Sequence, residues 1–209
     1  MQQFKPRIFL IRHGQSARHS GKIFLGQADI PLSDKGKKEA KAAGKELKRL
    51  EARADCIYSS DLARAKETAD IIALRLCVPV VPDMLFREMA MGSWDGELIE
   101  DIKAKFPEEY ARRGEDLRNY RIPGGENFYD LKGRVTREFH RILTGTKERT
   151  KGDGSLSEDI IIVAHLGVLD ALADEILGPG HKYEGYRFPT GSVNVFDVPD
   201  WLLPENETP

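Results

Sequence analysis

Two apolar runs in this chain stop at a histidine. Ile8-Phe9-Leu10-Ile11 ends at Arg12-His13-Gly14, and Ile160-Ile161-Ile162-Val163-Ala164 ends at His165-Leu166-Gly167. Short apolar runs flanked by charge read as buried strands, and ligands of open α/β sheets collect beyond the carboxyl ends of such strands. Arg12, His13 and His165 therefore emerge at one rim. Arg64 opens the helix after a second strand and faces the same rim beside that helix's positive end. Glu88 follows a third strand and reaches in from a less regular segment. Gly14 is read as a sharp turn that approaches a ligand closely, and Ser16 adds a hydroxyl.

That inventory suits phosphoryl transfer. A phosphate dianion calls for planar, permanently charged forks, which Arg12 and Arg64 supply. A neutral imidazole nitrogen attacks phosphorus and splits one hard displacement into two easier ones, and His13 is the candidate nucleophile. His165 would stabilise the equatorial oxygens as charge spreads over them. Glu88 is left for proton work: near a phosphate dianion its carboxyl should titrate higher, protonate the leaving oxygen and later activate water. Asp95 and Glu97 are competing acids, and Glu88 could instead pair with Arg87 or Arg64. A metal reading fails because an arginine beside His13 repels a divalent ion and no His-x-x-x-His or Cys-x-x-Cys spacing occurs.

The elements that must position these groups follow from pattern. Ser33 caps an Ala/Lys/Glu-rich helix to about Arg53. Residues 55–59 form a strand, Ser60-Asp61 cap the next helix, and Val78 to Val81 form a third strand. From Met84 to Pro123 the alternation loosens into short helical pieces, a cap in which Trp94 is a packing anchor. Phe128, Leu131, Val135, Phe139 and Ile142 share one helical stripe. Residues 144–158 read as an exposed loop, Val168 to Leu177 as a helix stopped by Gly178-Pro179, and Ser192 to Val198 as a last strand before a peripheral tail. The polar loop at 17–32 is a candidate binding loop, with Arg18 and Lys22 more simply read as solvated charges, and His140 and His181 as surface or structural residues. Strand–helix alternation predicts a three-layer α/β/α sandwich, a mostly parallel sheet with helices on both faces and a small helical cap insertion at about 84–125, within one domain spanning 1–209.

The 209 residues are 40% hydrophobic and 32% charged, enough for a sizeable core. A net charge of −2 gives no global basic field for nucleic acid or an anionic membrane. Cys56 and Cys77, in apolar contexts, are read as buried thiols of a reducing compartment, the cytoplasm. Neither a leader pattern nor an apolar stretch of spanning length is seen.

Several motifs carry a family resemblance over roughly residues 7–197. They are Arg12-His13-Gly14, the spaced set Ser59, Leu62, Arg64, Ala65, Thr68 and Ala69, Glu88 ahead of Gly92-Ser93-Trp94-Asp95-Gly96, and Ala164-His165-x-Gly167. Together they resemble the histidine phosphatase superfamily, also called phosphoglycerate-mutase-like. The resemblance implies that His13 is phosphorylated, that Arg12, Arg64 and His165 form the phosphate pocket, and that Glu88 is the proton donor. It implies no metal and no cofactor. Gly26-Gln27 matches a loop that contacts phosphate or substrate, and Leu166 stands where a backbone N–H donates to phosphate. Within the family the chain is similar to short phosphatases, since Gln15 replaces the glutamate usual after Arg-His-Gly in mutases. Residues 24–33 and Pro123-Gly124-Gly125-Glu126-Asn127 look closest to α-ribazole and broad-specificity phosphatases. Three positions depart from the pattern: His19 replaces an asparagine, Leu166 a glycine, and Asp170 an arginine. The expected partner is a small phosphate ester, a homodimer stays open, and the competing readings are a cofactor-dependent mutase and a non-catalytic phospholigand-binding protein.

Overall fold

The structure, a computed structural model, describes residues 6–17, 21–147, 158–178 and 188–202. Five strands form one sheet: β1 (Arg7–Arg12), β2 (Ile57–Ser59), β3 (Val80–Pro82), β4 (Ile160–Ala164) and β5 (Val193–Asp197). Their order is β3-β2-β4-β1-β5, parallel throughout except for β5, which runs antiparallel to β1. One antiparallel edge strand leaves the sheet mostly parallel, as expected; between α6 (Leu166–Leu177) and β5, residues 179–187 lie outside the described residues.

The sheet is apolar on both faces, and β1 shows why. Ile8 and Leu10 join one core with α6 and α5 (Phe128–Lys147), including Leu131, Val135, Phe139, Leu169 and Leu172. Phe9 and Ile11 join the other core with α1 (Asp34–Arg49) and α2 (Ala63–Leu76), including Leu47, Ala65, Ala69 and Ile72. Alternate residues of a strand point to opposite faces, so four consecutive apolar residues serve two helical layers. All four are fully buried, each contributing roughly 1.5–3 kcal/mol of apolar transfer. The result is the expected three-layer sandwich.

Element ends differ from their expected places in instructive ways. Ser33 does cap α1, its hydroxyl accepting from Gly36 N–H at 3.0 Å, but the helix ends at Arg49 rather than Arg53. Strands β2 and β3 start two residues later than their apolar patterns imply. α2 begins at Ala63 with no side-chain cap; the Asp61 carboxylate instead binds Arg87, and the Ser60 hydroxyl turns to His165. α5 runs on to Lys147, four residues into the segment read as a loop; residues 148–157 lie outside the described residues. The tail is not wholly peripheral, because Leu202 is buried in the main core. Nor are the thiols buried: Cys56 is half-buried and Cys77, the left-handed residue that ends α2, is exposed. His140 is at the surface, its Nε2 2.8 Å from a Glu175 carboxylate oxygen, whereas His181 lies outside the described residues.

Between β3 and α5 the chain forms the cap, built from two 3₁₀ turns (Met84–Phe86, Gly92–Trp94), α3 (Ile99–Lys105) and α4 (Pro107–Glu115). It has its own apolar cluster of Phe24, Trp94, Ile102 and Ile122, so Trp94 is the anchor its type implies. Phe24 belongs to the loop after β1, which ties that loop to the cap.

Candidate active site

β1 and β4 are parallel neighbours with Arg12 opposite Ala164, and His13 N–H donates to Ala164 O at 2.9 Å. In-register pairing thus delivers His13 and His165 side by side. Their ring centroids lie 5.0 Å apart, and both residues are buried. The His13 Nδ1 is 2.7 Å from the Gly14 carbonyl, which can only accept. The proton therefore sits on Nδ1 and the lone pair on Nε2. Burial first, then the Arg64 charge, pushes the His13 pKa down to about 3, so its ring is neutral near pH 7. His165 is likewise pushed well below the usual histidine range, by burial and then by His13 and the two arginines.

Gly14 is also required for a close approach within the protein. A Cβ there would lie 2.4 Å from Gly36 O, and one on Gly36 would lie 2.1 Å from Gln15 O. The two glycines let the loop after β1 press its backbone against the first turn of α1. Gly14 N–H also donates to Thr68 Oγ1 at 3.0 Å, and that hydroxyl donates to Arg64 O at 2.7 Å. The nucleophile's loop and the Arg64 helix are thereby joined through one hydroxyl.

Arg64 is fully buried, with Nη1 donating to Ala28 O and Nη2 to Gly26 O, both at 2.7 Å. Arg12 Nη1 donates to Phe188 O at 2.7 Å. Burial lowers the pKa of both guanidiniums, opposed at each by the nearby Glu88 charge. Arg12 Nε, Arg64 Nε, Ser16 Oγ and His165 Nδ1 are buried without a protein partner. A buried polar atom left unpaired costs about 1–3 kcal/mol, so this concentration marks a place for an oxygen-rich ligand.

Glu88 is fixed at both backbone and carboxylate. Its carbonyl accepts from Gln27 Nε2 and from Arg134 Nη2, each at 3.1 Å. Its carboxylate accepts from Met89 N–H at 2.8 Å and from Gly167 N–H at 3.3 Å. The second contact sets it at the amino end of α6, where the helix dipole favours negative charge. The suggested partners of Glu88 are engaged elsewhere: Arg87 binds Asp61 at 2.6 Å, and the Arg64 Nη atoms donate to backbone carbonyls. Gly26 and Gln27 thus hold Arg64 and Glu88 in place, and Leu166 begins α6 beside His165. His19 and Arg18 lie outside the described residues. Among the described residues, no group of three or more His, Cys, Asp or Glu side chains is placed to hold a metal ion.

Four residues contribute in ways their local sequence did not reveal. Ser60, fully buried, places Oγ 2.9 Å from His165 Nε2 and accepts from Leu62 N–H at 3.3 Å. Asp95 accepts from Gln27 N–H and Met91 N–H, bracing the loop against the cap. Glu126 and Arg134 form a two-pronged ion pair at 2.7 and 2.9 Å, and Arg134 reaches the Glu88 carbonyl. Proximity of Glu126 to the Gly-Gly turn was visible, but its partner lies a helical segment away.

The family model for the histidine phosphatase superfamily (branch 1) matches residues 8–201. The chain belongs to the histidine phosphatase superfamily. It is 31% identical over 195 residues to phosphoglycerate mutase-like protein 4 of Arabidopsis thaliana, covering 92% of this chain and 80% of that one. It is 32% identical over 172 residues to glucosyl-3-phosphoglycerate phosphatase of Mycolicibacterium vanbaalenii, covering 82% and 74%. Among solved structures, the α-ribazole phosphatase from Shigella flexneri superposes with a TM-score of 0.78 at 25% identity, covering 93% and 91%. Membership makes the chain an enzyme of phosphate-ester chemistry with the phosphoglycerate-mutase-like fold. No helix among the described residues is long and apolar enough to cross a membrane.

Proposed function

We propose that this histidine phosphatase is a metal-independent phosphomonoesterase that works through phosphohistidine on His13. The observation that carries the reading is the His13 ring: Nδ1 is held by a carbonyl, so Nε2 keeps its lone pair in a neutral ring flanked by two arginines. In the first step Nε2 attacks phosphorus and the bond from phosphorus to the ester oxygen breaks. Glu88, protonated, gives its proton to that departing oxygen. In the second step the Glu88 carboxylate takes a proton from water, the water oxygen attacks phosphorus, and the N–P bond breaks to release phosphate. Arg12, Arg64, the Nδ1 side of His165, the Ser16 hydroxyl and the Leu166 N–H hold the equatorial oxygens in both steps. The substrate is a small phosphorylated metabolite. A cytoplasmic setting fits two cysteines, Cys56 and Cys77, that are not joined in a disulfide.

The test is hydrolysis of p-nitrophenyl phosphate with EDTA present. Turnover should survive chelation and form an acid-labile phosphoenzyme, and His13→Ala should abolish both. Turnover that depends on added metal, or a phosphoenzyme that persists in His13→Ala, overturns the reading. The mutase-like relative motivates a parallel assay: phosphoglycerate isomerisation stimulated by 2,3-bisphosphoglycerate would replace hydrolysis as the main activity.

A further inference from the structure

A cavity of about 600 Å³ opens from Arg12 and His13. Beyond those two residues, Gly21 and the polar Gln15, Ser16, Lys22 and Thr190, its wall is made by Ala17, Ile23, Leu25 and Ile99. Three of these come from the loop after β1 and one from the start of α3, and backbone pairing joins residues 22–24 to residues 97–99. Ile23 bridges Leu98 in antiparallel fashion, Phe24 N–H donates to Glu97 O at 3.0 Å, and Ile99 N–H donates to Lys22 O at 2.9 Å. Behind the wall sits the buried cluster of Phe24, Trp94, Ile102 and Ile122, with the Phe24 and Trp94 rings 5.2 Å apart. The side of the pocket formed by Ile23, Leu25 and Ile99 is therefore apolar and pre-formed.

Among the described lining residues the cations are Arg12 and Lys22. Arg12 stands at the phosphate end, and Asp170 and Glu39 lie close enough to act on its charge. Lys22 is exposed and solvated. A carboxylate placed against Ile23 and Ile99 would exchange water for apolar side chains, a costly exchange. An apolar group there gains the transfer energy of its buried area. The volume falls within the range of pockets that enclose ligands much larger than glycerate.

We propose that this pocket takes an uncharged, largely apolar leaving group, so that the substrates are aryl or branched-alkyl phosphate monoesters rather than phosphoglycerates. The inference rests on the phosphomonoesterase reading above. Ile23 and Ile99 are its specificity-determining residues.

The experiment compares kcat/KM of the whole protein on three esters of primary alcohols, 2-phenylethyl phosphate, ethyl phosphate and 3-phosphoglycerate, with p-nitrophenyl phosphate as reference. Similar leaving oxygens keep the intrinsic chemistry comparable. 2-Phenylethyl phosphate should lead both others by roughly tenfold or more. Ile99→Ala and Ile23→Ala should each cut its kcat/KM by about tenfold and move ethyl phosphate far less, with the loss in KM. Ile99→Val, which removes one methylene, should show a smaller loss in the same direction should the alanine variants fold poorly. Equal or better hydrolysis of 3-phosphoglycerate, or a preference unchanged in Ile99→Val, overturns the inference while p-nitrophenyl phosphate turnover leaves the phosphatase reading standing. No turnover of any of the four esters overturns both.

Discussion

His13 and His165 stand at the ends of adjacent parallel strands, one residue past a matched register pair, yet they are held by different kinds of contact. At the His13 end the constraints on ring and loop run through the Gly14 backbone: its carbonyl on Nδ1, its approach to Gly36, and its N–H on the Thr68 hydroxyl. At the His165 end they are side chains, the Ser60 hydroxyl on Nε2 and the Glu88 carboxylate on Gly167 N–H. Backbone contacts of that kind cannot shift without moving a strand or a helix, whereas a hydroxyl and a carboxylate can. The nucleophile's end is thus the fixed reference of the pocket. The other end couples the proton donor to the second histidine and can be tuned by substitution.

Paired glycine substitutions expose this difference most strongly. Gly14→Ala drives a Cβ to 2.4 Å from Gly36 O, which has nowhere to go. Overpacking without relief costs about 1–3 kcal/mol or more, and turnover should fall with it by roughly 10² or more because the His13 lone pair is misaimed. Gly167→Ala meets Glu88 Oε1 at 2.6 Å and Leu131 Cδ2 at 3.0 Å, the ends of flexible chains. It should unfold in urea within about 1 kcal/mol of wild type, yet lose more activity on alkyl esters than on p-nitrophenyl phosphate, because the displaced acid matters most for poor leaving groups. Equal stability losses in the two variants, read by urea midpoints, would erase the distinction between the two ends.

Ser60→Ala addresses the His165 end alone. The Ser60 oxygen accepts from Leu62 N–H, and its own proton, given to His165 Nε2, leaves the ring proton on Nδ1, the nitrogen without a protein partner. That is the tautomer able to donate to a phosphate oxygen. Removing the hydroxyl should lower kcat by about tenfold, the scale of one neutral hydrogen bond, with KM nearly constant; Ser60→Thr should restore most of it. Nitrogen chemical shifts of His165 should report a change of tautomer in Ser60→Ala. An unchanged tautomer would reduce Ser60 to a packing residue.

The same contrast explains what was legible in the sequence. His13, Arg12 and His165 follow unbroken apolar runs, and strand ends are the part of a parallel sheet that local pattern locates best. The Phe128–Ile142 stripe was equally plain, since period and burial agree along one helix. Ser60 was read as a helix cap because its local context is that of a cap. Its partner lies 105 residues away, across a sheet whose strand order local pattern does not encode. Cys77 looked buried from its apolar neighbours, but it ends α2 in the left-handed conformation, and periodicity is silent once a helix stops. The cap wall was hidden for a related reason: Ile23 and Ile99 meet through pairing of two irregular segments, neither of which has a period to read.

The last expected effect is on stability alone, and it bears on both histidines together. Each is neutral when folded, His13 with its pKa lowered to about 3, while an unfolded chain's histidine titrates near its model value of 6.5. Above that value neither state binds the proton and there is no contribution. As pH falls from 6.5 toward 3, the unfolded chain binds protons that the folded His13 does not, so stability falls with pH. The slope reaches at most about 1.4 kcal/mol per pH unit for each such histidine. Between pH 6.5 and 5 most carboxylates remain ionised in both states, which leaves this window to the histidines. Urea unfolding across it should show a slope that shrinks in His13→Gln and again in His13→Gln with His165→Gln. If His13→Gln keeps the wild-type slope, its ring is protonated in the fold at those pH values. Nε2 would then have no lone pair to offer, and the backbone-held end of the pocket could not be the nucleophile's.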